Sequence, residues 1–436
     1  MALQFEHGEI QWLTTQALNT LITVSGLGFE PKAIRFYWVG LQSNSPTTGV
    51  SQAVNERRGV GFAVSAASRR AVGTFNQDTA ANANCGSVAT STACVITVDG
   101  NGTVDGLLDI DSINTDGFVM IVDDVTPANI TVFWEAWGGT DISVATVGDI
   151  TEPAATGNQN YTVNGFTSDG LDQCVMLAGV QSTAALGTGQ AQDSGFHVGF
   201  ATSTATANQV TVCGNSDDGS ATMDTDGYSI QGECLSMIVI AGGNPNARAT
   251  LSAWGTNLFT LNWLARATTG RRSIFLAIKG GSWQSGTYTI NGNTLNATAT
   301  VSNLPFFPLG VSLIGRMTAT QTAGTSTVED RIGFGSGKGK SGDSAIDITR
   351  NAAGILDEDA VANVEINTYV AYNAVLGFPS NAGGIQATYD LNSVTANSFE
   401  IIVDVAGGVA NELQGYLTFG SQRNAVPISI GHPFIT

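Results

Sequence analysis

One pattern recurs three times along this chain, and any fold must accommodate it. Residues 25–42 read SGLGFEPKAIRFYWVGLQ, and residues 164–181 read NGFTSDGLDQCVMLAGVQ, without a gap at an offset of 139. Residues 302–316, SNLPFFPLGVSLIGR, continue the series at an offset of 138. Phe29 and Pro31 fall on Phe306 and Pro308, Gly26 falls on Gly165, and Gly40 on Gly179. A second block follows in each copy: RGVGF at 58–62, FHVGF at 196–200 and DRIGF at 330–334. A third reads DGFVMIV at 116–122, NLFTLNW at 257–263 and NSFEIIV at 397–403. Each third block leads into a further strand-like run: TVFWEAWGG at 131–139, SIFLAIKGG at 273–281 and GYLTFGS at 415–421. Blocks in a fixed order at near-constant spacing mark tandem domains. The period is far too long for a solenoid.

Within each copy the pattern is that of strands. Ile34, Phe36 and Trp38 alternate with Arg35 and Tyr37, which predicts one set in a core and the other outside. Phe259, Leu261 and Trp263 alternate with Thr260 and Asn262 in the same way, and Phe399, Ile401 and Val403 with Glu400 and Ile402. Asp-Gly and Asn-Gly pairs, such as those at 116–117, 169–170 and 291–292, tolerate the positive φ of tight hairpins. The expected fold class is therefore all-β: three tandem antiparallel β-sandwich, jelly-roll-like domains with a short N-terminal arm. The boundaries fall at 1–19 for the arm and at 20–155, 156–295 and 296–436 for the domains, with linkers near 151–159 and 283–296. Residues 1–19 have no counterpart in the other copies and read as an arm or an added edge strand. Residues 357–364 read as a short helix or a loop.

Composition narrows the function. The chain carries 36 Asp+Glu against 17 Lys+Arg, a net charge of −19. Such an acidic surface does not suit a broad grip on nucleic acid. No apolar run is long enough to span a bilayer as a helix, and the opening MALQFEHGEIQW lacks the pattern of a secretory signal. Charged residues are only 12% of the chain, against roughly 25% in ordinary globular proteins. With 42% apolar residues this excludes a disordered chain.

Asp99, Asn101, Asp105, Asp109 and Asp111, and separately Asp217, Asp218, Asp224 and Asp226, invite a calcium reading. Neither has EF-hand spacing, so solvated turn carboxylates are the expectation and no metal is assigned. Cys85 with Cys94, and Cys213 with Cys234, are candidates for two disulfide staples; the alternative is buried free thiols. Cys174 is expected to be free, and no CxxC pair suggests zinc. Of three histidines, His7, His197 and His432, none accompanies a nucleophile motif, and His197 is expected on an exposed strand face. The glycine-rich GFGSGKGKSG at 333–342 lacks Walker spacing, which leaves Lys338 and Lys340 on an exposed loop. Trp38, Trp134, Trp137, Trp254, Trp263 and Trp283 could stack on sugars, but their alternating context favours core packing. No catalytic residue and no cofactor is assigned.

With these blocks in view, the copies resemble a β-sandwich module of tailed-bacteriophage virion structural proteins. The resemblance is carried by GLGFEPKAI at 26–34, GVGF at 59–62, FTLNW at 259–263 and the strands ending at Gly138-Gly139 and Gly280-Gly281. The second copy lacks the Phe-x-Pro, and the third ends in Gly420-Ser421. The resemblance implies a structural part of a virion, made in the host cytoplasm, with no enzymatic activity. Its partners would be major capsid or tail subunits, with many copies per particle and neither nucleic acid nor membrane. A multicopy capsid decoration or cement protein is the leading expectation. The alternative is a tail-associated adhesin or receptor-binding, carbohydrate-binding protein. In the cement reading, Phe5, Ile10, Trp12 and Leu13 anchor the arm into a neighbouring subunit.

Overall fold

The computed structural model describes residues 3–42, 49–238, 243–267, 270–319, 326–339, 349–359, 361 and 365–422. Among the described residues the regular structure is antiparallel strand, apart from one 3-10 turn at Thr206–Asn208. The strands form three seven-stranded and three four-stranded sheets. The three sets have one connectivity. In the first, the seven-stranded sheet runs Gln4–Trp12, Ile130–Gly138, Pro31–Val39, Arg58–Ser65, Ser68–Asn76, Cys85–Thr90, and then a short strand from elsewhere. Its four-stranded sheet runs Leu21–Ser25, Gly117–Asp124, Val104–Asn114, Val95–Val98. Eleven strands split seven and four depart from the two-Greek-key, eight-stranded jelly roll.

The seventh strand of each large sheet comes from the next copy. Gln190–Ala191 of the second copy pairs with Cys85–Thr90 of the first. Thr327–Val328 of the third pairs with Thr225–Gln231 of the second. Val50–Ala53 of the first pairs with Ile366–Ala371 of the third. Each lent strand lies in the same connection of its copy, and the lending is cyclic. The three sets thus close into a ring. An exposed sheet edge invites foreign pairing, and here it is covered by the chain itself.

The first strand has counterparts after all. Val144–Thr151 pairs with Arg272–Lys279 as Gln4–Trp12 pairs with Ile130–Gly138, and Ser282–Ile290 pairs with Glu412–Gln422 likewise. By pairing, these two strands belong to the second and third sets, although the sequence reading left them at the ends of the first and second. Their side-chain patterns differ too much for alignment; only hydrogen bonding marks them as equivalent.

The ring also explains the scarcity of charge. Each four-stranded sheet covers one face of its large sheet over a separate apolar core. The other faces of the three large sheets meet in one further core. It draws on Tyr37, Phe62 and Phe133 from the first set, Met176, Phe196 and Phe200 from the second, and Phe334 and Leu417 from the third. Arg35 and Tyr37, expected outside, are therefore buried as completely as Ile34 and Phe36. Strands enclosed on both faces need apolar or pairable residues at every position.

One glycine in each copy permits the close packing of the two sheets. A Cβ on Gly61 would lie 1.7 Å from the Cys94 carbonyl oxygen, on Gly199 2.0 Å from that of Cys234, and on Gly335 1.9 Å from that of Val375. Hence the third copy's equivalent of Gly61 is Gly335, two residues past the Gly333 that the sequence match gave. Glycine at 333, 335 and 337 repeats with the strand period, so sequence alone cannot fix the register.

Candidate functional site: a polar centre shared by three copies

Equivalent residues of the three copies meet inside the ring. Counted back from the close-packed glycines, Glu56, Ser194 and Asp330 are equivalent, and all three hold one side chain, Arg58. Its Nε lies 2.7 Å from Glu56 Oε1, and its Nη2 2.5 Å from Asp330 Oδ2. Nη2 also donates to the Ser194 carbonyl oxygen at 3.1 Å, and Nε to Thr74 Oγ1 at 3.2 Å. The guanidinium lies 5.0 Å over the ring of Phe196, which occupies the position of Arg58 in the second copy. The strand-ending residues Asn76, Ser216 and Asp357 form another such layer. Asn76 Nδ2 and Ser216 Oγ both donate to Asp357 Oδ2, at 3.2 and 2.6 Å. Arg58, Glu56, Asp330 and Asp357 are all fully buried. A symmetric trimer would bring three guanidinium groups to this centre. A single chain can supply one and fill the other two positions with Phe196 and Ile332.

Three acids face Arg58, and buried Arg316 also acts on Asp330, so negative charge still outnumbers positive. Burial, with Asp330 nearby, pushes the Asp357 carboxyl up to about 6, against the pull of Arg58. Burial likewise raises Glu56 well above the ordinary carboxyl value, and its side chain hydrogen-bonds Asp357. Two carboxyls can bond each other only through a proton. Burial opposes the charge on Arg58, but Asp330 and Glu56 more than offset this and hold its pKa above the ordinary value. A carboxyl with a raised folded pKa binds protons more tightly folded than unfolded, so its folded state loses stability as pH rises. For Asp357 the loss runs from about pH 4 to about pH 6 and amounts to about 3 kcal/mol. Denaturant midpoints should fall across that window, and Asp357→Asn should flatten the fall.

A second pair, Arg35 and Glu135, lies 3.1 Å apart, fully buried, and Ser312 Oγ of the third copy donates to Glu135 at 2.7 Å. A third contact layer repeats strictly. Asp218 Oδ1 accepts from the Cys85 amide at 2.8 Å, Asp359 Oδ1 from the Thr225 amide at 3.1 Å, and Asp78 Oδ1 from the Ile366 amide at 3.0 Å. Each aspartate latches the first amide of an edge strand in a neighbouring copy, in the direction of strand lending. The segments are QDTAANANC at 77–85, DDGSATMDT at 217–225 and EDAVANVEI at 358–366. Sequence reasoning missed this fourth repeat. The signal was an aspartate seven residues before the strand in each copy, hidden because two copies were read as an acidic cluster and a helix or loop.

The residues singled out in sequence lie elsewhere than expected. Phe5 is buried in the shared core against Trp137 and Phe419, and Ile10 and Trp12 are buried in the first set's own core. Leu13 is half-buried. The anchor reading of these four is therefore corrected: the first three pack within the chain, and covering Phe5 and Trp12 takes too much apolar surface from water to release them.

All five cysteines are free and buried. Cys85 lies in the shared core and Cys94 in the first set's own core; Cys213 and Cys234 are likewise in different clusters. Neither staple forms, because the two thiols of each pair belong to separate cores. Burial pushes the thiols of Cys213 and Cys234 up to about 12. A thiol reagent at pH 8 should leave the native protein unlabelled and modify five cysteines after denaturation, with no change in melting on reduction.

His197, expected exposed, is fully buried, with Nε2 3.0 Å from Ser273 Oγ, and burial lowers its pKa to about 3. Half-buried His7 bridges to the third copy through Ser336 Oγ at 2.9 Å and Thr349 Oγ1 at 2.8 Å. Lys338, expected on a loop, ends strand Asp330–Lys338 and pairs with Glu6. Lys340 and His432 lie outside the described residues. Asp99 caps its own turn, accepting from the amides of Asn101 and Thr103, while Asp105 and Asp109 pair with Arg57 and Arg69. Among the described residues no three His, Cys, Asp or Glu side chains are grouped to hold a metal ion.

Trp38, Trp134, Trp137, Trp263 and Trp283 are buried, and Trp254 packs on Phe166. A cleft of about 740 Å³ between the second and third copies is lined by Ile230, Gln231, Tyr288, Thr300 and their neighbours, with no carboxylate, histidine or cysteine. No helix among the described residues is long and apolar enough to cross a membrane. Comparison with protein-family models and with curated proteins finds no match.

Proposed function

We propose that this chain is a structural part of a bacteriophage virion, in which three β-sandwich domains stand in for a trimer over a local three-fold position of the shell. The observation that carries this reading is the cyclic closure: Glu56, Ser194 and Asp330 around one Arg58, with each copy lending a strand to the next. A ring closed in one chain presents three similar outer surfaces at fixed angles. That suits binding to subunits themselves arranged three-fold. The fully buried ion pairs join residues within the ring, which supports a building role over a catalytic one. The acidic exterior favours solubility in many copies and repels nucleic acid. Six of the seven tryptophans are buried and Trp254 is half-buried, a pattern that weighs against the carbohydrate-binding alternative, which needs exposed rings.

The test is an image of the purified particle together with a copy count. The expected result is density for one chain over each local three-fold position, in dozens to hundreds of copies. A handful of copies confined to the tail would overturn the decoration reading.

A further inference from the structure

The three inter-copy latches share one backbone geometry but differ at their bases. At the base of each hairpin, the amide of the first residue donates to the carbonyl oxygen of the eighth at 3.1 Å: Gln77 to Asn84, Asp217 to Asp224 and Glu358 to Glu365. In the first copy the two side chains are amides, and Asn84 Nδ2 donates to Gln77 Oε1 at 2.7 Å. In the other two copies the same slots hold acids. Two carboxylates have no hydrogen to share, so the amide bond of the first copy can be reproduced only with a proton. In the third copy the buried Oε1 of Glu358 has no hydrogen-bond partner among the described residues, and Glu358 bonds Glu365 once it is protonated. In the second copy Asp217 bonds Asp193 in the same manner, with Asp224 beside it.

We propose that the second and third latches are operated by protons, closing tightly in mild acid and loosening toward neutral pH, while the first, with its amide pair, does not respond. The coupling is short. Asp217 adjoins Asp218, which holds the Cys85 amide, and Glu358 adjoins Asp359, which holds the Thr225 amide.

The surrounding charges favour proton uptake. Around Asp217 stand Asp193, Asp224 and Asp218, all acids; burial and Asp193 raise it to about 6. Around Glu358 stand Glu365, Glu329 and Arg331, and only Arg331 opposes; burial and Glu365 raise it to about 7. Asp193 and Asp218 also face the Cys85 strand, together with Asp357 and Glu56 of the polar centre. A carboxyl raised in the folded state weakens that state as pH climbs from its unfolded to its folded value, so loosening runs from about pH 4 to about 6 at Asp217 and on to about 7 at Glu358. The inference concerns the ring itself and holds whatever the ring is built into.

The test is hydrogen exchange of the full chain, read by mass spectrometry at pH 5 and 8 and corrected for the intrinsic rate. Protection of the peptides beginning at Cys85 and Thr225 should fall by about tenfold between the two pH values. Asp217→Asn should abolish the fall at Cys85 and leave it at Thr225. Glu358→Gln should do the reverse. The crossed design separates a local latch from titration of the polar centre, which would affect both peptides in both variants. Equal protection at both pH values in the unaltered protein would overturn the proposal. So would variants that leave both falls intact.

Discussion

Arg58→Met is expected to destabilise the ring by about 3–5 kcal/mol, the cost of leaving buried acids without their counter-charge. The change removes the partner of Glu56 at 2.7 Å and of Asp330 at 2.5 Å while nearly preserving volume. It also removes the donor to the Ser194 carbonyl, so all three copies lose a contact at once. The loss should appear as a lower denaturant midpoint and, in gel filtration, as a larger and more heterogeneous species. The triple variant Arg58→Met, Glu56→Gln, Asp330→Asn should recover most of the loss, because a buried ion pair is worth little against neutral groups of similar shape. If the single variant melted like the unaltered protein, the polar centre would not be what joins the copies.

Gly61→Ala should cost about 3 kcal/mol, the upper end for adding a methyl group to a packed core. The new Cβ would sit 1.7 Å from the Cys94 carbonyl oxygen, which belongs to backbone and cannot swing aside. The large sheet and its cover would have to separate. Gly199→Ala and Gly335→Ala meet backbone at 2.0 and 1.9 Å and should be similarly harmful. Gly384→Ala is the control: its Cβ would meet only the Ser380 hydroxyl at 3.1 Å, so the change should stay within about 1 kcal/mol. Equal melting of Gly61→Ala and the control would mean that the sheets do not approach as described. Gly333→Ala meets the ends of Leu376 and Phe378 side chains at 2.8 and 3.0 Å and should fall between.

Much of the fold was written locally. Alternation in residues 31–39 marks a strand because successive side chains point to opposite faces, a property of a single strand. Threefold repetition followed from comparing the chain with itself. What stayed hidden depends on partners distant in sequence. Arg35 and Tyr37 read as outward because one strand cannot show that a second core lies on its other face. The cysteines read as staples because hairpin neighbours in sequence can lie in separate cores. Phe5 and Trp12 read as anchors because their partners, Phe419 and the sheet of residues 117–124, follow far along the chain.

By itself the sequence determined that this protein is β, that it repeats, and that it is acidic and poor in charge. These are consequences of period, self-similarity and composition. Only the tertiary structure decided that the copies close into a ring, which glycines meet backbone, and that one arginine serves three copies. Ring closure joins residues hundreds of positions apart. Their pairing is set by shape and by the exclusion of water, and neither leaves a periodic trace along the chain.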